Sequence, residues 1–316
     1  MTNSIPAVQD LGDVYLLDTY HRGIAGTIGV FLLPIEGGAF TLVESGPGST
    51  VERVEAGIRE LGFDLEGLEH LLLTHIHLDH AGAAGELARR SGALVHVHQR
   101  GASHLADPSR LMESAGRIYG DAMDELWGEM VPVPSEQLRS HYDGDVLELG
   151  GHRIEVLDTP GHASHHAAYL LDDDTIFTGD AAGVRFPPAT LIRPALPPPE
   201  IDLEQWDGSI AKLRSCVPER LLLTHFGEVR NADEHLSELS RRNRAWADEV
   251  RRGMLAGEEL DQLQQRIRIL EEREFAQAGL DEQMATRYRV TSDAGMTGMG
   301  LQRYWRKKRP EEVARD

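Results

Sequence analysis

The chain has 316 residues, of which 41% are hydrophobic and 27% charged, so its composition is that of a globular protein and not of a disordered or fibrous one. Its formal net charge of −20, from 32 basic and 52 acidic residues, argues against a general nucleic-acid surface and against binding to anionic membranes. No apolar run approaches the roughly 18–20 residues that span a bilayer, no signal-peptide pattern opens the sequence, and Cys216 has no partner for a disulfide, so we predict a cytoplasmic protein.

The first 130 residues or so alternate short apolar runs with turn residues. This pattern predicts strands over residues 13–18, 29–33 and 40–43, with a hairpin turn at 36–38. A helical period follows over 51–61, and then a short, wholly apolar run over 70–74 suited to a buried strand. Beyond it we predict a helix over 83–91, a strand over 93–97, and helices over 110–119 and 122–128.

The middle of the chain is rich in hairpins and ends in a helical segment. We predict two hairpins, 146–149 with 152–157 and 167–171 with 175–178, a proline-rich loop over 186–200, a helix over 203–215 and a strand over 220–224. Strand signals stop after about residue 229, and charged helical patterns cover 232–252 and 258–277. We therefore divide the chain into a catalytic domain, residues 1–231, and a helical C-terminal extension, residues 232–316.

The extension carries an apolar stripe with a/d-like spacing, formed by Leu260, Leu263, Ile267 and Leu270. An exposed stripe of this kind favours association, so it must be covered. We predict that it packs onto the main domain, with a homodimer contact through the C-terminal helices as the alternative.

Three histidines and an aspartate fall within six positions directly after the predicted strand at 70–74: His75, His77, Asp79 and His80. Imidazole and carboxylate are the ligands of zinc and related divalent metals. On an extended segment His75 and His77 would point the same way. A turn at Leu78 would then let Asp79 and His80 face the position of a second metal ion beside the first. Buried without a metal, these groups would compete for hydrogen bonds. The motif therefore predicts half-sites for two ions.

Three further segments place a ligand-type residue just after a predicted strand. His162 follows the strand at 152–157, Asp180 follows the strand at 175–178, and His225 follows the strand at 220–224. Glycine-containing loops at strand ends are where active sites lie in layered α/β proteins. We expect these residues to converge with the histidine-rich motif.

The motifs HIHLDH, TPGH, TGD and THFG, in this order and at this spacing, resemble the metal motifs of the metallo-β-lactamase superfamily over about residues 10–230. With the helical C-terminal segment, the resemblance is to a prokaryotic branch of that superfamily. It implies an α/β layered fold, an αββα sandwich of two mixed sheets packed face to face with helices outside. It also implies two metal sites and a bridge: His75, His77 and His162 for the first metal, Asp79, His80 and His225 for the second, and Asp180 between them.

The same resemblance implies a reaction. Two divalent transition metals, zinc first with manganese or iron as alternatives, would lower the pKa of a bridging water toward neutrality. The implied enzyme is a binuclear hydrolase whose bridging hydroxide attacks an ester, thioester or lactone carbonyl of a small molecule, with Asp79 and Asp180 as catalytic carboxylates. The alternative is a mononuclear iron oxidoreductase of the persulfide-dioxygenase type, which ranks second because both ligand sets look complete.

Five residues outside the ligand set are candidates for supporting or lining the site. Where many relatives have an aspartate before the first helix, this chain has Glu44, which could support the ligands with one more methylene. His166 matches a family histidine four residues after the TPGH ligand, and we expect it to buttress the site. His98 and His104 are candidates for the pocket wall, the alternative being a polar loop. Arg193 could pair with a substrate carboxylate from the proline-rich loop, the alternative being a solvated arginine.

Overall fold

The computed structural model describes residues 7–314, so residues 1–6 and 315–316 of the two predicted domains lie outside the described part. The strands of this part are β1 Val8–Asp10, β2 Tyr15–Asp18, β3 Gly29–Pro34, β4 Phe40–Val43, β5 Leu68–Leu72, β6 Leu94–His98, β7 Leu138–His141, β8 Val146–Leu149, β9 His152–Asp158, β10 Ala167–Leu171, β11 Thr175–Phe177, β12 Arg220–Leu223 and β13 Gly227–Val229. The α-helices are α1 Val51–Glu60, α2 Leu78–Ala81, α3 Ala84–Ser91, α4 Gln99–Ala106, α5 Ser109–Tyr119, α6 Met123–Leu126, α7 Leu203–Ser215, α8 Ala232–Leu255, α9 Leu260–Ala278, α10 Glu282–Thr291 and α11 Ala294–Lys308.

The strands form two mixed sheets. The first has the order β1-β2-β3-β4-β5-β6-β7, antiparallel from β1 to β4 and parallel from β4 to β7. The second has the order β13-β12-β11-β10-β9-β8 and is antiparallel except for the pair β11 and β12. Helices flank both sheets, and the predicted αββα sandwich is confirmed.

Strand β3 has a continuous apolar sequence because both of its faces are buried. Its Phe31 and Leu33 belong to the core shared with the second sheet, whereas Val30 and Leu32 belong to the core under α1 and α3. Successive strand residues point to opposite faces, so a strand covered on both sides needs apolar residues throughout. Phe31 meets Phe177 of the second sheet edge to face, with ring centroids 5.3 Å apart. The two sheets therefore pack directly on each other.

The C-terminal helices extend the apolar core on the outer side of the second sheet. Trp246 of α8 is completely buried, and in α9 the side chains of Leu263 and Ile267 are completely buried while Leu270 is nearly so. Helix α9 packs between α8 and α11. The stripe predicted from the sequence is thus covered within the chain, and association through other surfaces of the extension stays a prediction.

The elements predicted from the sequence are all present, and the described residues form seven further elements that were not individually predicted: β1, β7, β13, α2, α4, α10 and α11. The short strands β1, β7 and β13 lie at or beside sheet edges and have too few apolar residues to give a clear alternation. Residues 99–106, for which a polar loop was the alternative to a pocket wall, form helix α4, whose N-terminus is capped by the His98 side chain accepting from the Arg100 amide. None of the helices among residues 7–314 is long and apolar enough to cross a membrane.

Candidate metal centre

The seven predicted ligands meet at one edge of the sandwich, beyond the ends of four strands. The histidine-rich motif follows β5, and the other ligands follow β9, β11 and β12. The ligand atoms fall into three overlapping groups, within each of which all atoms lie no more than 4.8 Å apart: His75 with His77 and His162, His75 with His80 and Asp180, and Asp79 with His80 and His225. Parallel and antiparallel pairing of the strands brings these distant segments of the sequence together.

Main-chain carbonyls fix the orientation of two of the imidazoles. Nδ1 of His162 lies 2.8 Å from the carbonyl oxygen of Ala195, and Nδ1 of His225 lies 2.7 Å from that of Thr27. A carbonyl oxygen can only accept, so both Nδ1 atoms carry a proton. The Nε2 atom of each ring therefore faces the other ligands.

Glu44 fixes two more imidazoles, one of them through Thr74. Nδ1 of His80 donates to Oε1 of Glu44 at 2.9 Å. The Thr74 hydroxyl donates to the same oxygen at 2.6 Å, so it is free to accept from Nδ1 of His75 at 3.1 Å. Both rings again turn Nε2 toward the centre. This is the supporting role expected of Glu44, whose side chain is fully buried and whose backbone adopts φ 69°.

Several buried polar atoms of the cluster cannot all form hydrogen bonds unless a cation is bound. His77 Nδ1 lies 3.0 Å from Nε2 of His75 and 2.9 Å from Nε2 of His162, and these two Nε2 atoms carry no proton when the rings are neutral. The single proton that Nδ1 of His77 can carry makes a hydrogen bond to only one of these two Nε2 atoms. No proton then lies between Nδ1 and the other Nε2 atom, and these two nitrogens repel each other. Nε2 of His80 and Oδ1 of Asp180 are buried without any hydrogen-bond partner. Imidazoles and carboxylates in this arrangement fit a site for divalent metal.

The electrostatics differ between the two halves of the cluster. Burial opposes protonation of His225, but the carboxylates of Asp180 and Asp79 outweigh it and raise its pKa to about 9. His80 likewise has a raised pKa despite its burial, mainly because of Asp79. In the other half, burial and neighbouring imidazoles hold the pKa of His75 well below its usual value. One half thus offers neutral nitrogen donors, and the carboxylates of the other half favour positive charge beside them, a combination that suits a bound cation.

His166 supports the centre and is not among its converging ligand atoms. Its Nε2 accepts from the amide of Asp180 at 3.1 Å, so its proton resides on Nδ1, which donates to the Thr159 hydroxyl at 2.8 Å. The ring thereby holds the main chain from which the Asp180 carboxylate projects. The expectation that His166 buttresses the site agrees with this geometry.

Neither His98 nor His104 lines the cleft above the cluster. His98 is buried at the start of α4, and its Nε2 lies 3.2 Å from Oδ1 of Asp158. His104 lies on the same helix, half-buried. Their expected place on the pocket wall is wrong, because a helix rather than a loop follows β6 and turns them away from the cleft.

Arg193 also lies elsewhere than the sequence suggested, neither on the pocket rim nor in solvent. It is completely buried, with Nη1 donating to Glu271 at 2.5 Å and Nη2 donating to the Ser292 carbonyl at 2.9 Å. Its guanidinium carbon lies 4.6 Å from the ring centroid of Trp246. Arg193 therefore fastens the proline-rich loop to the C-terminal extension.

A cleft of about 500 Å³ opens above the cluster. Its lining includes five of the seven ligands, His77, Asp79, His162, Asp180 and His225. Four segments form the walls: parts of 21–28, parts of 111–127 on α5 and α6, residues 195–199, and parts of 289–297 where α10 gives way to α11. The last segment belongs to the C-terminal extension, which therefore forms part of the cleft wall. Tyr119 and Trp127 were not singled out from the sequence, because their apolar periodicity indicates a buried face without saying what it covers.

Comparison with known proteins agrees with this geometry. The chain belongs to the metallo-beta-lactamase superfamily, whose family model matches residues 28–225. It is 30% identical over 191 residues to a metallo-beta-lactamase fold-containing protein of Sulfurisphaera tokodaii, covering 59% of this chain and 71% of that one. It is 32% identical over 135 residues to a hydroxyacylglutathione hydrolase of Haemophilus influenzae, covering 42% of this chain and 58% of the relative.

Solved structures extend the likeness to the C-terminal helices. A metallo-beta-lactamase family protein of Thermus thermophilus has a TM-score of 0.67 at 23% identity, with 95% of both chains covered. The archaeal superfamily protein of Sulfolobus tokodaii has a TM-score of 0.57 at 25% identity, covering 69% of this chain and 80% of that one. The first likeness shows that the fold as a whole, including most of the extension, occurs elsewhere.

Proposed function

We propose that this protein is a binuclear metal-dependent hydrolase that cleaves an ester, thioester or lactone bond of a small molecule. The observation that carries the proposal is the convergence of four Nε2 atoms, one Nδ1 atom and two carboxylates at the floor of a cleft. The similarity to a hydroxyacylglutathione hydrolase, a thioester hydrolase, supports the reaction class. The single cysteine, Cys216, supports a reducing and hence cytoplasmic location.

The ligand set divides into two sites of three residues and a shared carboxylate. His75, His77 and His162 would hold one ion, Asp79, His80 and His225 the other, and Asp180 both. Bound there, the metals would supply an activated water as nucleophile and polarise the carbonyl under attack.

The chain's own residues prepare the site for this reaction. Asp79 has the more exposed of the two carboxylates, 24% against 6% for Asp180, so it is the one that solvent in the cleft can reach. Its pKa is held well below the usual range because neighbouring imidazoles outweigh the effect of burial. It therefore stays ionised at neutral pH and can accept a hydrogen bond from an incoming water, which orients that water.

Elemental analysis of protein purified without added metal tests the proposal. We expect close to two transition-metal equivalents per chain, and hydrolysis of at least one member of a panel of esters, thioesters and lactones. His162→Ala should lose about one equivalent, whereas the matched variant His104→Ala should keep both. A single iron with no gain on adding zinc or manganese would instead favour the oxidoreductase alternative, and no hydrolysis of any panel member would contradict the reaction class.

A further inference from the structure

The walls of the cleft above the metal centre are largely apolar. On one side, Tyr119 and Trp127 meet edge to face with ring centroids 5.2 Å apart, and Ile118 lies beside them on α5. On the other side, Pro197 and Met296 contribute apolar surface from the proline-rich loop and the extension. Ligand sites that bind apolar groups are lined predominantly by apolar and aromatic side chains, with a smaller number of polar groups among them.

The charges on these walls do not form a cradle for an anion. Arg289 is neutralised by two carboxylates, with Nη1 at 2.7 Å from Glu282 and Nη2 at 2.8 Å from Glu272. Within the described lining, Arg22 is the other guanidinium, and the exposed carboxylate of Asp293 adds a negative charge to the same lining. A phosphate-rich or multiply carboxylated group is usually bound by several converging cations or amide donors. The walls lack such a cluster of cations.

We propose that the substrate of this hydrolase is a neutral molecule whose acyl side is an apolar chain or ring lying between Tyr119, Trp127 and Ile118 on one side and Pro197 and Met296 on the other. Conjugates of glutathione or coenzyme A would be poor substrates, since their anionic carriers find no matching charge. The inference rests on the proposed hydrolase function.

The first experiment varies the acyl chain at constant leaving group. Neutral aryl esters of acetic, butanoic, hexanoic and octanoic acid are hydrolysed by the metal-loaded protein, and kcat/KM is measured for each. Each further methylene that is buried should raise kcat/KM by up to roughly fourfold, until the acyl chain fills the apolar space between the two walls, called the slot below. A series with no dependence on chain length, in a protein that does hydrolyse the esters, would overturn the inference and leave the hydrolase function standing.

The second experiment varies the carrier at constant acyl group. The octanoyl thioesters of N-acetylcysteamine, which is neutral, and of coenzyme A, which is polyanionic, present the same reacting bond. We expect the neutral thioester to have the higher kcat/KM by tenfold or more. A preference for the coenzyme A thioester, or for S-lactoylglutathione over neutral thioesters, would overturn the inference. Failure to hydrolyse any of these probes, together with the lactones of the first panel, would reject the hydrolase function itself.

A pair of matched variants locates the slot. Ile118 is 40% exposed and lines the cleft, whereas Ile269 is 61% exposed on α9, away from it. Ile118→Glu should lower kcat/KM for the octanoyl ester by tenfold or more and change the acetyl ester little, while Ile269→Glu should change neither. Equal effects of Ile118→Glu on both esters, or of both variants on the octanoyl ester, would contradict the assignment.

Binding measured without turnover gives an independent readout. Alkyl methyl ketones are neutral and cannot be hydrolysed, so their affinity can be measured by calorimetry on the metal-loaded protein. Affinity should rise with alkyl length and show a negative heat-capacity change, the mark of buried apolar surface, and Ile118→Glu should abolish the rise. Affinity that does not change with alkyl length would overturn the inference.

Discussion

Replacing Glu44 by glutamine removes one charge behind the metal centre with almost no change in shape. Its Oε1 accepts from the hydroxyl of Thr74 at 2.6 Å, from Nδ1 of His80 at 2.9 Å and from the hydroxyl of Thr224 at 3.1 Å, and Oε2 lies 3.3 Å from the Thr74 amide. An amide group can supply only one accepting oxygen. Whichever way it turns, its NH2 faces at least one of these donors.

The cost of Glu44→Gln should appear as weaker metal binding. Loss of a carboxylate that orients a ligating histidine typically lowers metal affinity by about 10–100-fold, or roughly 1.4–2.7 kcal/mol. Because His80 donates directly to this carboxylate in the fully buried centre, we expect the upper end of that range for the ion held by His80. The other ion should be affected less, since Glu44 reaches His75 only through Thr74.

Competition with a chromophoric chelator measures both affinities. Glu55→Gln is the matched control, because Glu55 is also a buried glutamate but pairs with Arg59 and Arg90 away from the metal centre. Circular dichroism establishes that both variants are folded. If Glu44→Gln binds two metals as tightly as Glu55→Gln does, the supporting role of this carboxylate is refuted.

Three further changes test other parts of the structure. Asp180→Ala should abolish hydrolysis and loosen both metals, because it removes a carboxylate shared by the two sites; full metal content with normal turnover would exclude the bridging role. For Asp18→Asn, the free energy of unfolding is measured by urea melts at several pH values and compared with that of the parent. The difference should shift in favour of the variant by about 2–3 kcal/mol as the pH is raised from about 4 to 7.5. Burial raises the pKa of Asp18 to about 6, so the parent loses stability as the pH rises through that value, and a difference independent of pH would contradict this. Arg193→Met should destabilise the protein by roughly 3–5 kcal/mol, because it leaves Glu271 buried without its partner. Changing Glu271 to methionine as well should restore much of the lost stability. If Arg193→Met alone were as stable as the parent, the pairing of Arg193 with Glu271 would not hold the loop to the extension.

The parts of the site that could be predicted from sequence are those carried by local patterns at strand ends. His75 to His80 form one short motif, and the ends of β9, β11 and β12 show up as apolar runs followed by glycine-containing turns. Arg193 was misplaced because its partner Glu271 lies 78 residues further along the chain, and no local pattern pairs them. The cleft walls were missed for the same reason, since segments around 111–127 and 289–297 meet only in the folded protein.

The segment at 289–297 has a consequence for how the substrate preference of the proposed hydrolase could change. The floor of the cleft is built from strand ends of two packed sheets, while this wall belongs to a helical junction that begins 64 residues after the last ligand, His225. Substitutions there can reshape what the cleft admits without disturbing the groups that perform the chemistry. Natural drift or laboratory libraries confined to this junction should therefore yield new substrate preferences on an unchanged metal centre.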